Sequence, residues 1–374
     1  MKKKINYPLL FLVIFLLGFS FLFFACLSAP ASLKDQGNTS HYLLRQLLLL
    51  LPALTGGLIA YKVPLAVTKK WAPLLVFLNL ILMFFVFIPG LGISGGGASR
   101  WIRIAGITVQ PSEFLKITSI LYLSAWIASK LSETGNEGWK TATKKGYHNL
   151  IYIFFPFIVF LGMITFALYL QSDASTLGIL ALTLLALYFS ARTPLWHTIA
   201  IVVLGFSFLL FMVRFESYRL DRWLLFLNPD ADPLGKGFQL RQSLISLGSG
   251  GVFGKGLGMS TQKFGFLPES MSDFIFSVIG EELGVFGAVA VVAAFVALFW
   301  LGIKIAKKSN DRFGKMVAVG VVVWITLQAF VNIASAAGSF PVTGIPLPFF
   351  SYGGSHLVAE LVGIGFLLNI SKNT

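Results

Sequence analysis

Ten stretches of this chain stay apolar for close to the length an α-helix needs to cross the hydrocarbon core of a bilayer, about 20 residues at 1.5 Å each. The first lies inside MKKKINYPLLFLVIFLLGFSFLFFACLSAPAS. The others fall near 41–60, 72–90, 111–129, 151–171, 174–190, 197–213, 274–301, 316–338 and 354–370. Composition agrees, since only 12% of residues are charged where a soluble domain carries about a quarter. The expected fold class is an all-α polytopic membrane protein. Residues 1–374 form a single membrane domain, with no length left for a separate soluble enzyme domain. The opening run resembles a secretory signal, down to Ala29-Pro30-Ala31. Its apolar part exceeds the roughly 7–15 residues of a signal core, so it reads as an uncleaved first helix.

Charge then orients the spans. With the N-terminus inside, the pieces MKKK, YKVPLAVTKKW, KLSETGNEGWKTATKKGYH, ARTPLWH, KIAKKSNDRFGK and SKNT are cytoplasmic, and nearly all carry Lys or Arg, as the positive-inside rule asks. The outer connections 30–40, 171–173 and 339–353 carry one lysine between them. Ten transmembrane helices leave both termini cytoplasmic. The exception is 214–272, between helices seven and eight, which is basic yet outside and long enough to escape the charge rule. Its patterns DRWLLFLNPDADP and QLRQSLISLGSGGVFGKGLG predict a large extracytoplasmic loop packed over the outer face. Net charge of +14 is therefore a matter of sidedness, and no nucleic-acid partner is expected.

Some motif matches carry no chemistry. Gly92-Ile93-Ser94-Gly95-Gly96 fits G-x-S-x-G, but a nucleophile elbow needs a strand, a helix and a partner histidine, and this one reads as a glycine-rich outer loop. The glycines of GSGGVFGKGLG miss the G-x-G-x-x-G spacing and no G-K-[ST] follows, so no nucleotide or other organic cofactor is expected. Cys26, His41, His148, His197 and His356 are too scattered for a His/Cys metal site.

More chemistry sits where polar residues meet the outer ends of the spans. In GGGASRWIRIAGITVQPSEFLKI, Pro111 and Ser112 suit a helix start and Glu113 its positive end. Glu113 and Lys116 stand three apart on one face. They read either as an internal ion pair locking helices or as the lining of a polar cavity for a charged headgroup. Arg100 and Arg103, just outside, are placed to hold phosphate or simply to meet lipid phosphates. Asp173, in YLQSDASTLG, suits an N-cap of the next helix. In FLPESMSDFIFSVIGEELG, a helical turn from Pro268 would put Glu269 and Asp273 on one face, and Ser270 with Asp273 matches a capping box. Glu281 and Glu282 lie about two turns into the span and point about 100° apart, which predicts a polar cavity there. Pro341, Pro346 and Pro348, with the glycines of GSFPVTGIPLPFFSYGGSH, bend the chain at the same level.

The segments RWIRIAGITVQPSEFLKI, NPDADPLGKGFQLRQSLISLGSGGVFGKGLGMSTQKFGFLPESMSDFIFSVIGEELG and PVTGIPLPFFSYGGS resemble the signatures of the SEDS proteins (shape, elongation, division and sporulation), namely FtsW, RodA and their sporulation relatives. The resemblance runs from about 95 to 370, and the 256–284 stretch is closer to the FtsW and sporulation type. It implies a peptidoglycan glycosyltransferase of the bacterial cytoplasmic membrane that polymerises lipid II. The implied partners are a class B penicillin-binding protein, other division or elongation proteins and membrane lipid. It assigns the essential acid to Asp273 and places Glu113 and Lys116 in the central cavity. A divalent cation, Mg2+ or Mn2+, is implied, with Asp273 and Glu269 as its possible ligands. Two places depart from the family: QSDAST stands where QPDLGT-like turns are usual, and Ser355-His356 where Ser-Ser is usual.

In the implied reaction a sugar 4-hydroxyl attacks the anomeric carbon of a lipid-pyrophosphate-linked sugar, with Asp273 as base. Arg100, Lys116 and the loop residues Arg214, Arg219, Arg222, Arg241 and Lys263 are candidates to meet the leaving pyrophosphate. Glu269, Gln242 and Asp173 are read as further substrate-binding residues. A lipid II flippase is the alternative reading, since bent helices and buried charges suit a transporter too.

Overall fold

The computed structural model describes residues 5–95, 98–104, 106–133, 150–190, 196–197, 199–205, 207, 226, 232 and 237–372. The helices whose bounds they include are α1 Tyr7–Gln36, α2 His41–Lys62, α3 Leu65–Phe84, α4 Pro111–Glu133, α5 Phe155–Leu170, α6 Ala174–Ser190, α7 Phe238–Ser249, α8 Ile275–Lys308, α9 Arg312–Ala336 and α10 Gly354–Ser371. Among the described residues, seven helical segments are long and apolar enough to cross a membrane, with α6 a shorter apolar one. The protein is thus a mostly helical, multi-pass membrane protein.

Burial sorts the helices. In α9 and α10, 72% and 78% of the most apolar 18-residue stretch is buried, against 17–33% in α1, α2 and α3. The outer helices turn most of their apolar surface to lipid, and α9 forms the axis around which α4, α6, α8 and α10 pack. Small residues allow the closest crossings, as membrane helices require. A Cβ on Gly365 of α10 would lie 2.2 Å from the carbonyl oxygen of Gly57 on α2.

Several expectations are corrected. The fold is not all-α: β1 Gly92–Gly95, β2 Ala98–Ile104 and β3 Ile107–Val109 form an antiparallel meander where a glycine-rich loop was expected. The alternation in SRWIRI suits a strand, and Gly106 at φ +82° turns it back onto β3. The piece YKVPLAVTKKW is a loop only at Val63 and Pro64, so Lys69 and Lys70 ride on α3. The seventh expected span, 197–213, is described and helical at 199–205; its end lies outside the described residues. Residues 214–225, 227–231 and 233–236 of the long connection, with Arg214, Arg219 and Arg222, also lie outside them. The described remainder holds α7, which is set against α8 and α9: Ser243 Oγ lies 2.5 Å from Ser277 Oγ and donates to the Ala336 carbonyl at 2.6 Å.

Candidate active site

Four segments meet at one end of the bundle: the start of α4, the turn before α6, the turn before α8, and the 339–353 connection. Pro111 opens α4 as its fixed φ allows. The Ser112 hydroxyl donates to Asp173 Oδ2 at 3.2 Å, and Asp173 Oδ1 accepts the Thr176 N–H at 3.3 Å, so Asp173 does cap α6. Arg100 on β2 clamps this turn, donating to the carbonyls of Gln171 and Ser172, with its Nη1 3.9 Å from Asp173 Oδ1. Arg103 is exposed on the same strand. The Ser175 hydroxyl ties α6 to the Thr343 carbonyl at 2.5 Å.

Glu113 and Lys116 form an ion pair of 2.7 Å and are 2% and 1% exposed. Lys116 also donates to Gln328 Oε1 at 2.8 Å, sharing that oxygen with the Trp324 indole N–H at 3.0 Å. Its ammonium lies 5.3 Å from a Trp324 ring centre. The pair therefore ties α4 to α9, and a headgroup reaches Lys116 only if these helices part.

Asp273 is half-buried on the turn that leads into α8. Asn332 of α9 donates through Nδ2 to the Asp273 carbonyl at 2.8 Å and to the Ile345 carbonyl at 2.7 Å. Gln328 holds the Pro346 carbonyl at 3.0 Å. The carboxylate faces Gly344, where a Cβ would lie 3.6 Å from Asp273 Oδ2. Further bonds fix the two segments to each other: Ser351 Oγ donates to the Ser272 carbonyl at 2.5 Å, and the Tyr352 N–H to Met271 O at 2.8 Å. From behind, Glu360 Oε2 accepts the N–H of Phe349, which sits at φ +67°. Glu360 Oε1 lies 3.3 Å from His356 Nδ1.

The expected capping box is not formed. α8 starts at Ile275 behind Phe274 with no capping side chain. Residues 268–274 are turns rather than a helix, so Glu269 and Asp273 do not share a helical face. Glu269 is exposed, at φ +52°, and its Oε2 accepts the Ser272 hydroxyl at 2.7 Å. Gln242 is half-buried on α7, and Arg241 beside it is exposed. Lys263 is buried against Glu282, 3.6 Å away, rather than offered to a ligand.

Glu281 and Glu282 are 0% and 1% exposed, and donors from the protein itself take up both carboxylates. Glu281 takes Lys255 at 2.6 Å together with the hydroxyls of Ser260 and Thr261. Glu282 takes the N–H groups of Gly258 at 2.8 Å and Ser260 at 3.2 Å. These donors come from irregular chain some twenty residues earlier, which periodicity cannot register. Sequence reasoning also missed Gln328, Asn332 and Glu360. The available signal was the pairing of lone polar residues at i, i+4 within apolar helices, Gln328 with Asn332 and His356 with Glu360.

Among the described residues no three His, Cys, Asp or Glu side chains converge as metal ligands.

Fold and site together define a multi-pass membrane protein with a buried polar constellation at one end of its helices. The family model described as cell cycle protein, for FtsW, RodA and SpoVE, matches residues 7–374. Among curated relatives, a probable peptidoglycan glycosyltransferase FtsW of Trichlorobacter lovleyi is 37% identical over 97% of this chain and 92% of its own length. Stage V sporulation protein E of Bacillus subtilis is 37% identical over 81% of this chain and 80% of its own. The fold is shared with a chain of a peptidoglycan synthase complex (TM-score 0.77, 23% identity, 98% of both chains). It is shared too with the rod shape determining protein RodA of Thermus thermophilus (TM-score 0.69, 22% identity, 98% of this chain and 97% of the other). The chain belongs to the FtsW/RodA/SpoVE family.

Proposed function

We propose that this protein is a peptidoglycan glycosyltransferase that polymerises lipid II at the outer face of the bacterial cytoplasmic membrane. The observation that carries the mechanism is the placement of Asp273. Its main chain is held by Asn332 and its carboxylate is set against the backbone of Gly344. A sugar hydroxyl is a weak nucleophile, and a half-buried carboxylate fixed in this way is suited to take its proton as the oxygen attacks the anomeric carbon. The new glycosidic bond forms as the bond to the lipid pyrophosphate breaks. Direct displacement inverts the anomeric centre. Arg100, part exposed beside Asp173, is the cation best placed to meet the departing charge.

The membrane topology under this reading has ten spans: α1 to α6, the segment containing 199–205, and α8 to α10, with both termini cytoplasmic. The connection between the seventh and eighth lies outside. The working partner is a class B penicillin-binding protein that crosslinks the product. Any Mg2+ or Mn2+ enters with the donor's pyrophosphate, because Mg2+ is commonly held by one or two carboxylates plus substrate phosphates.

The test is to give the purified protein and its transpeptidase partner labelled lipid II in detergent, where transport has no meaning. Glycan polymer is the expected product. Absence of polymer, together with movement of labelled lipid II across vesicles holding the same protein, would replace the enzyme by a flippase.

A further inference from the structure

Segment 251–261 is built inside out. Its polar groups point into the protein: the N–H groups of Lys255 and Gly256 donate to the carbonyls of Glu281 and Glu282 at 2.9 Å each. Those of Gly258, Ser260 and Thr261 go to the carboxylates of the same two residues, at 2.8, 3.2 and 3.3 Å. Its apolar side chains point away. Phe253 is 82% exposed and Met259 65%, and Val252 and Leu257 are exposed as well. A loop facing water places these groups the other way round. A chain in hydrocarbon must satisfy its backbone internally and turns apolar side chains outward.

Two neighbours fix how deep the segment lies. On one side, Val285 and Phe286 of α8 donate their N–H groups to the carbonyls of Gly251 and Val252 at 3.0 and 3.4 Å. The Phe253 ring lies 5.5 Å from that of Phe286, itself 63% exposed on the outward side of α8. Glu281 is six residues past the start of α8 at Ile275, which is about 9 Å along a helix axis. On the other side, a Cβ on Gly258 would lie 3.9 Å from Cys26 Sγ, and Cys26 sits within the apolar run of α1, ten residues before its end at Gln36.

We propose that segment 251–261 is a re-entrant element immersed in the bilayer leaflet on the Asp273 side, with Val252, Phe253, Leu257 and Met259 packed against lipid acyl chains. Residues 262–274 follow it directly and carry Glu269 and Asp273. The immersed element therefore sets the height of the Asp273 carboxylate above the hydrocarbon, at the level where a lipid-linked pyrophosphate emerges. The immersion itself needs only a multi-pass membrane protein and stands apart from the reaction.

The test uses the full chain in proteoliposomes with Cys26→Ser as background and a nitroxide attached at Phe253→Cys, Leu257→Cys or Met259→Cys. Phe286→Cys is the lipid-facing reference and Asn310→Cys, exposed between α8 and α9, the water-facing one. The expected result is access to dissolved oxygen with loss of access to a water-soluble nickel chelate, as at Phe286. Nickel access matching Asn310 would overturn the proposal and return the segment to water. Exclusion of both reagents would overturn it in favour of a covering protein helix. Each labelled variant is read only when it elutes as one species, and any one of the three positions suffices.

Discussion

The Asn332 side chain holds the Asp273 carbonyl at 2.8 Å and, with its second N–H, the Ile345 carbonyl at 2.7 Å. One amide thus fixes the spacing between the chain that carries the carboxylate and the chain that faces it. Asn332→Ala should leave the protein folded and bound to substrate, with KM little changed. Because misplacing a reacting group by an ångström costs up to roughly a hundredfold in rate, kcat should fall at least about tenfold. Steady-state polymerisation with labelled lipid II measures both constants, and an unchanged kcat would remove Asn332 from a positioning role.

Asp273→Asn keeps the size of the side chain and removes its basicity. General-base removal typically costs roughly 100- to 10,000-fold, so polymer should be lost while monodispersity and lipid II binding persist. Gel analysis of products alongside a binding assay separates the two effects. Polymer at near-normal rate would take Asp273 out of the proton transfer.

For the Glu113–Lys116 pair the expected pattern is non-additive. Lys116→Met alone strands a buried carboxylate inside the protein, and breaking a buried pair from one side costs about 3–5 kcal/mol. Glu113→Gln combined with Lys116→Met removes both charges and should recover much of that loss. Thermal unfolding in detergent reports the difference. A double variant no more stable than Lys116→Met would mean the two charges do not compensate each other.

Glu281→Ala leaves Lys255 without its 2.6 Å partner and Ser260 and Thr261 without their acceptor. The segment around them should open locally before the bundle does. Hydrogen exchange in 255–261 should accelerate, while α9, whose most apolar stretch is mostly buried, keeps its protection. Uniform acceleration across α9 as well would show that the carboxylate supports the whole fold rather than one segment.

The sequence made some of this legible and hid the rest for identifiable reasons. Spans follow from hydropathy, because a lipid-facing helix needs nothing but length and apolar side chains. The opening of α4 at Pro111 and the cap by Asp173 were readable because both act within a few residues of themselves. The Ser270 and Asp273 pattern misled for the same reason: a capping signature says nothing about where the helix starts, and α8 begins only at Ile275. The sheet at 92–109 was masked by its glycines, although Ile102, Arg103 and Ile104 alternate apolar and polar as a strand does. Glu281 and Glu282 were visible as anomalies without a role, since Lys255, Gly258 and Ser260 reach them from far along the chain. Asn332 and Glu360 act on backbone carbonyl and N–H groups, which no side-chain pattern displays.

Gly284, at φ +66° and ψ −160°, interrupts α8 and rests on Gly254 and Val252. This backbone region is essentially closed to other residues, and the interruption has a consequence for the order of biosynthesis. A charge at the centre of a membrane helix costs roughly 3 kcal/mol during insertion, and α8 brings two carboxylates. Lys255, Ser260 and Lys263 lie earlier in the chain, so they have already been made when Glu281 and Glu282 emerge. The ribosome thus makes the neutralising groups before the acids that they neutralise.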